Sequence, residues 1–213
     1  MAAPTQLRSS VNELVRFASR DLSALWREVS DAAQARTALM DVLPALVETY
    51  GQAAATLAAT WYDDARAKAA VRGSFTAIPA DPSDRGAQAL AGWATSTATD
   101  IATLQTLIAG GLQRRIADNV RDTVSGSAIA DPSARGWARA GNGGCTSGFC
   151  DMLIARGAVY TEATADFASH DHCQCYAVPA FDGQPRPVKP YMPTLRNVSD
   201  ADRARVREYL RTH

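Results

Sequence analysis

The cysteines of this chain are confined to one stretch. All four, with two of the three histidines, fall between Cys145 and Cys175, and the third histidine, His213, is the last residue. They form two groups, CTSGFC at 145–150 and HDHCQC at 170–175, a C-x4-C pair followed by H-x-H-C-x-C. Zinc takes four thiolate or imidazole ligands in a tetrahedron, and structural sites deliver them as two pairs from short loops. Cys145 and Cys150 supply the first pair, and Gly143, Gly144 and Gly148 around them allow a tight turn. The second group offers His170, His172, Cys173 and Cys175, more donors than the remaining places need. Alternate side chains of an extended backbone share a face, so Cys173 and Cys175 point together and Gln174 points away. His170 then reaches in from the preceding loop. Adjacent residues rarely bind one ion, which makes His172, beside Cys173, the weakest candidate. The expected site is a structural zinc held by four of Cys145, Cys150, His170, Cys173 and Cys175.

Compartment and energetics favour a metal over its rivals. The N-terminal MAAPTQLRSSVNELVRF has no apolar core with a small-residue cleavage site, and no apolar run approaches the ~20 residues of a membrane-spanning helix. The expectation is a chain folded in a reducing cytosol, where clustered cysteines serve metal binding or catalysis more often than disulfides. The region also reads as poor in large apolar side chains. A structural zinc adds roughly 10–16 kcal/mol of apparent binding energy to folding, against ~2–4 kcal/mol for a disulfide. Late disulfides, buried free thiols and catalysis remain as alternatives. Catalysis would require a thiolate–imidazole dyad, Cys150 or Cys173 with His170 or His172, or a zinc with an open position and a general base. Glu162 and Asp166 are near in sequence, but no H-x-E or H-E-x-x-H pattern sets a carboxylate beside a ligand. The chain also lacks G-x-S-x-G, phosphate-loop and dinucleotide motifs.

Outside this window the pattern is helical. Val11, Leu14, Val15, Ala18, Leu22, Leu25 and Trp26 recur at three- and four-residue steps. A second helical segment runs from about Asp31 to Ala70, with a kink or break expected at Pro44. A short alanine-rich helix over 87–97 and a longer one over 101–124 follow, the latter weakened by Gly110 and Gly111. Its Arg114, Arg115 and Arg121, balanced by Asp118 and Asp122, read as a solvated charged face. ADPSDRG at 80–86 and ADPSARG at 130–136 are turn and helix-start signals used twice, which does not require a duplication. Further on, a strand at 136–140, a helix at 149–156 and β-like pieces at 158–160 and 175–180 are expected. The fold class is thus mainly α: a helical region over 1–128, a Cys/His-rich α+β module over 129–182, and a Pro-rich arm with a C-terminal helix over 183–213. Lysine plus arginine equals aspartate plus glutamate at 22 each, so no global field draws in nucleic acid or anionic lipid.

The string GWARAG…C…FCDMLIARGAVY…HDHCQCYAVPAF resembles the C-terminal module of MuF-like minor head proteins of tailed phages, in their actinobacteriophage branch. Upstream, ETYGQAAATLAATWYDDAR is similar to the helical segment these proteins carry before that module, so the resemblance spans about residues 40–182. It implies a structural, non-enzymatic minor capsid protein inside the head near the portal, present in multiple copies and acting in head assembly or genome delivery. Portal protein, major capsid protein and packaged DNA are the implied partners, with the host cytoplasm as the place of assembly. The resemblance puts Cys145, Cys150, His170, Cys173 and Cys175 on the family's Cys/His positions. Its first pair is more often C-x-x-C, and the wider CTSGFC places the role of Cys145 in more doubt than that of Cys150. The alternatives are a head-maturation enzyme, as zinc hydrolase or cysteine protease, and a zinc module that binds nucleic acid.

Overall fold

Apolar side chains at helical spacing bury one stripe of each long segment, and the stripes meet in one connected core. In the computed structural model, residues 5–82, 86–141, 148–161 and 167–182 are described, with Ala204, Glu208 and Arg211 near the C-terminus. The elements in order are α1 (Thr5–Trp26), α2 (Ala32–Lys68), α3 (Ala87–Thr97), α4 (Ile101–Ala130), β1 (Trp137–Ala140), α5 (Gly148–Ala155) and β2 (Tyr176–Pro179). The chain is mainly α, 66% helical with one small two-stranded sheet. Of the expected arm and terminal helix over 183–213, only those three positions are described; they are helical and exposed.

Helices α2 and α4 lie against each other, α1 and α3 flank them, and β2 packs on α4. The starts of α2 and α4 are capped by carboxylates: Asp31 accepts from the Gln34 amide at 2.9 Å and Asp100 from the Thr103 amide at 2.7 Å. Pro44 does not break α2, which runs unbroken through it. Proline removes one helical hydrogen bond, but Leu39, Leu43 and Val47 on either side are fully buried and hold both halves in place. The connector before α3 is fixed to α4 by hydroxyls, with the Ile78 amide donating to Ser127 Oγ at 3.0 Å and the Ala80 amide to Thr123 Oγ1 at 2.9 Å.

Helix α4 continues six residues beyond Val124 and ends at Asp131, the aspartate of the second Asp-Pro-Ser turn. Asp131 is 2% exposed and accepts from Arg66 Nε at 2.9 Å, from Tyr62 at 3.2 Å and from the Ser133 amide at 2.9 Å. Arg66 also donates to the carbonyls of Arg72 and Gly73, so the end of α4 and the connector after α2 share one buried network. The sheet that follows is antiparallel and pairs Trp137 with Pro179 and Ala140 with Tyr176. Tyr160 adds an isolated bridge to Trp137.

Candidate metal centre

Two segments converge on one buried point. Cys150 sits in the first turn of α5 and is fully buried. Opposite it, residues 167–175 approach β2, with Ala168 at φ 45° and His172 at φ 61°, left-handed conformations that fold the segment back on itself. The Cys173 amide donates to the His170 carbonyl at 3.1 Å and closes the turn. Cys173 and Cys175 then emerge on the same side, just before β2 rather than within it. The sulfurs of Cys150, Cys173 and Cys175 lie within 4.8 Å of one another, close enough to hold a metal ion. Gly141 closes one wall, where an added Cβ would stand 2.7 Å from Ile154 and 3.7 Å from the Cys175 sulfur.

His170 approaches from the solvent side, its Nε2 3.4 Å from Cys150 Sγ. Its Nδ1 is 2.7 Å from the Asp171 carbonyl; a carbonyl only accepts, so Nδ1 carries the proton and Nε2 presents a lone pair toward the sulfurs. Tetrahedral zinc with Zn–S near ~2.3 Å and Zn–N near ~2.0 Å has edges of ~3.8 Å (S···S) and ~3.5 Å (S···N). The corresponding separations here are 4.0 Å for Cys150–Cys173 and 3.4 Å for Cys150–His170. The three sulfurs fit one face of a zinc site. His170 Nε2 stands beside Cys150 alone and is not among the donors that all lie within 4.8 Å of one another, so it would have to swing inward to complete a tetrahedron. A bonded disulfide requires ~2.05 Å between sulfurs, and Cys150, Cys173 and Cys175 are free thiols.

The sulfurs are electrostatically prepared. A hydrogen bond from Cys175 pulls the Cys173 thiol down, and the Arg121 charge adds to it. Cys175 is pushed up, first as the donor of that bond and then by burial. The pair therefore gives up its first proton readily and its second with difficulty, until a cation replaces the shared proton.

The side chains that hold the ligand segment were not expected from the sequence. Arg121 is fully buried and donates from Nε to the Cys175 carbonyl at 3.0 Å and from a terminal nitrogen to the Cys173 carbonyl at 2.7 Å. Asp118 pairs with Arg121 at 2.6 Å and accepts from Ser169 at 2.7 Å. Gly110, Arg114, Asp118 and Arg121 follow at helical steps on one face of α4, and the ligand segment lies on that face. The expected solvated face is thus an internal interface, because backbone carbonyls of the turn replace water around the guanidinium. Gly110 does not merely weaken the helix; a Cβ there would stand 2.7 Å from His172 Nε2. His172 is turned to Gln113, its Nδ1 2.9 Å from the amide oxygen, and so is not directed at the sulfurs. Cys145 lies outside the described residues.

The region is also less dependent on metal for its core than its composition suggested. Trp137 stacks on Tyr160 at 4.4 Å and on Phe167 at 5.5 Å, and Arg139 lies 3.9 Å over the Phe167 ring. Few but large aromatic groups supply the burial that aliphatic residues do not.

A family model described as VG15 protein matches residues 2–197, spanning α1 to β2 and both cysteine groups. The chain belongs to the VG15 protein family. This viral family makes it a phage protein. As a VG15 family member it combines a helical platform with the three-sulfur cluster just described, and none of its described helices is long and apolar enough to cross a membrane. No characterised protein and no solved structure gave a significant match.

Proposed function

We propose that this VG15 family protein is a structural minor head protein of a tailed phage, placed inside the capsid near the portal. Its Cys/His module is a zinc staple held by Cys150, His170, Cys173 and Cys175. The observation that carries the structural reading is the burial of the sulfurs: Cys150 and Cys175 are fully buried and Cys173 is 3% exposed, which supports a structural over a catalytic role. A nucleophile or an open zinc position requires access. The resemblance of FCDMLIARGAVY and HDHCQC to the MuF-like module supports the placement in the head, and the phage family is consistent with it. Zinc would supply cross-linking between α5 and the segment before β2, chemistry that these residues cannot supply as thiols. Portal protein and major capsid protein are the partners this reading names.

The test is to assay purified virions and procapsids for the protein, before and after the heads are opened, in the presence of external protease. Protection until opening is expected; absence from both particles would overturn the reading. One contact favours a second reading, an enzyme of head maturation, because Cys150 and His170 form a thiol–imidazole pair at 3.4 Å. Cleavage of scaffold or capsid protein by wild type and not by Cys150→Ser would establish it.

A further inference from the structure

Among the described residues, the charged side chains that hold the ligand segment do not balance. Five charged side chains bind the ligand segment or a ligand sulfur: Arg114, Arg121 and Arg139, with Asp118 and Asp171. Arg121 pairs with Asp118 at 2.6 Å and Arg114 with Asp171 at 3.3 Å. Arg139 is left over. It is 3% exposed, donates to the carbonyls of Phe167 and Ala168, and directs a terminal nitrogen at Cys150 Sγ at 3.6 Å. Its Nε has no hydrogen-bond partner, and among the described residues no carboxylate pairs with it. A buried guanidinium without a counter-charge is unfavourable.

We propose that Arg139 is the counter-charge of the metal centre and selects a mono-anionic three-thiolate, one-imidazole site for a divalent ion. The proposal rests on the zinc-staple reading above. Three thiolates, one neutral imidazole and a divalent cation sum to one negative charge, which Arg139 cancels across its contact with Cys150. A two-thiolate, two-imidazole set would be neutral and leave Arg139 unpaired. A four-thiolate set recruiting Cys145 would carry one negative charge too many. Arg139 is a positioning residue in this sense: it touches one ligand sulfur and favours that sulfur as thiolate. Its terminal nitrogen lies 3.6 Å from the Cys150 sulfur, so occupancy of the site and stability of the module are coupled through that contact.

The experiment compares wild type, Arg139→Met and Arg139→Lys as full chains. Zinc affinity is read by competition with a chromophoric chelator, and melting temperature is measured with zinc and after its removal. Zinc affinity is expected to fall 10–100-fold in Arg139→Met, the range typical of groups that support a ligand. Arg139→Lys should recover most of that loss, because it restores charge without restoring the carbonyl fork. Metal-free Arg139→Met loses the bonds to the Phe167 and Ala168 carbonyls and should melt lower than metal-free wild type. The diagnostic quantity is therefore the rise in melting temperature on adding zinc, which should be smaller in Arg139→Met than in wild type. Unchanged zinc affinity, or a loss that lysine does not recover, overturns the assignment and leaves Arg139 as a clamp on two carbonyls. Should Arg139→Met fail to fold, Arg139→Lys decides alone: near-wild-type zinc affinity with a lowered melting temperature supports the proposal, and a matching loss of both overturns it. Wild type that takes up no zinc sinks the staple reading itself, a result separate from either outcome in the variants.

Discussion

Arg121 Nε donates to the Cys175 carbonyl across 3.0 Å from a side chain with no solvent exposure, so α4 grips the backbone of a ligand rather than its sulfur. Arg121→Met removes this bond and the one to Cys173 while keeping the side-chain volume. Stability should fall by about 3 kcal/mol, since charge-assisted bonds to buried carbonyls are lost and the acceptors stay dry. Arg114→Met removes a pair at 3.3 Å whose partners are about one-third exposed, and should change stability by less than ~1 kcal/mol. Denaturant midpoints of the two variants check the contrast; equal effects would mean that the buried fork is not what holds the segment.

On the proposed zinc staple, Cys150, Cys173 and Cys175 with His170 would fill the four places of a tetrahedral zinc and leave none for Cys145. Cys145→Ser should retain the wild-type zinc content, whereas Cys150→Ser should lose it. Zinc at 100 times its dissociation constant should add about 2.7 kcal/mol of stability, worth ~5–11 °C in melting temperature for a chain of this size. Elemental analysis and melting curves with and without chelator read both. Zinc lost with Cys145→Ser and kept with Cys150→Ser would reverse the ligand assignment.

Periodicity was enough to place every helix of the platform, because each buries one apolar stripe and Asp31 and Asp100 mark the starts of the two longest. The alternation of Cys173 and Cys175 likewise placed both sulfurs on one side. What spacing could not provide was the partner of each charge. Arg121 and Arg115 are alike as letters in a basic helix, yet Arg121 is buried against a turn fifty residues later and Arg115 bonds the Gly86 carbonyl. One signal was present and under-read: Gly110, Arg114, Asp118 and Arg121 share a face, and a glycine on a charged face marks a place where another backbone comes close. The stacked Trp137, Tyr160 and Phe167 were hidden for a different reason. Burial there comes from a few aromatic rings, which counts of apolar residues under-weigh.

Two helical glycines should respond oppositely to alanine. At Gly126 an added Cβ meets nothing within 4 Å, so Gly126→Ala should stabilise by about 0.8 kcal/mol through backbone entropy alone. At Gly51 the same atom would stand 2.6 Å from Asn119 Nδ2 and 2.9 Å from Pro82, where α2 meets α4 and the connector. The proline ring cannot give way, so Gly51→Ala should destabilise by ~1–3 kcal/mol despite its better helix propensity. Urea midpoints decide; a stabilising Gly51→Ala would show that this contact is looser than described.

Tyr62 gives a prediction at alkaline pH. Burial, then the Asp131 charge beside it, pushes its phenol above the ordinary 10.0. The unfolded phenol ionises above about pH 10 while the folded one stays protonated. Its contribution is therefore complete below that pH and is lost as pH rises beyond it. Tyr62→Phe should cost about 1 kcal/mol near neutrality for one hydrogen bond, since Asp131 keeps Arg66 and the Ser133 amide. Tyr160 and Tyr176 are also raised by burial, so the variant should show a shallower alkaline loss of stability than wild type and not a flat profile. Denaturant midpoints at about pH 8 and about pH 11, either side of the tyrosine range, measure the slope. Identical slopes in the two proteins would show that Tyr62 ionises as freely folded as unfolded, and that its contact with Asp131 leaves the phenol unprotected.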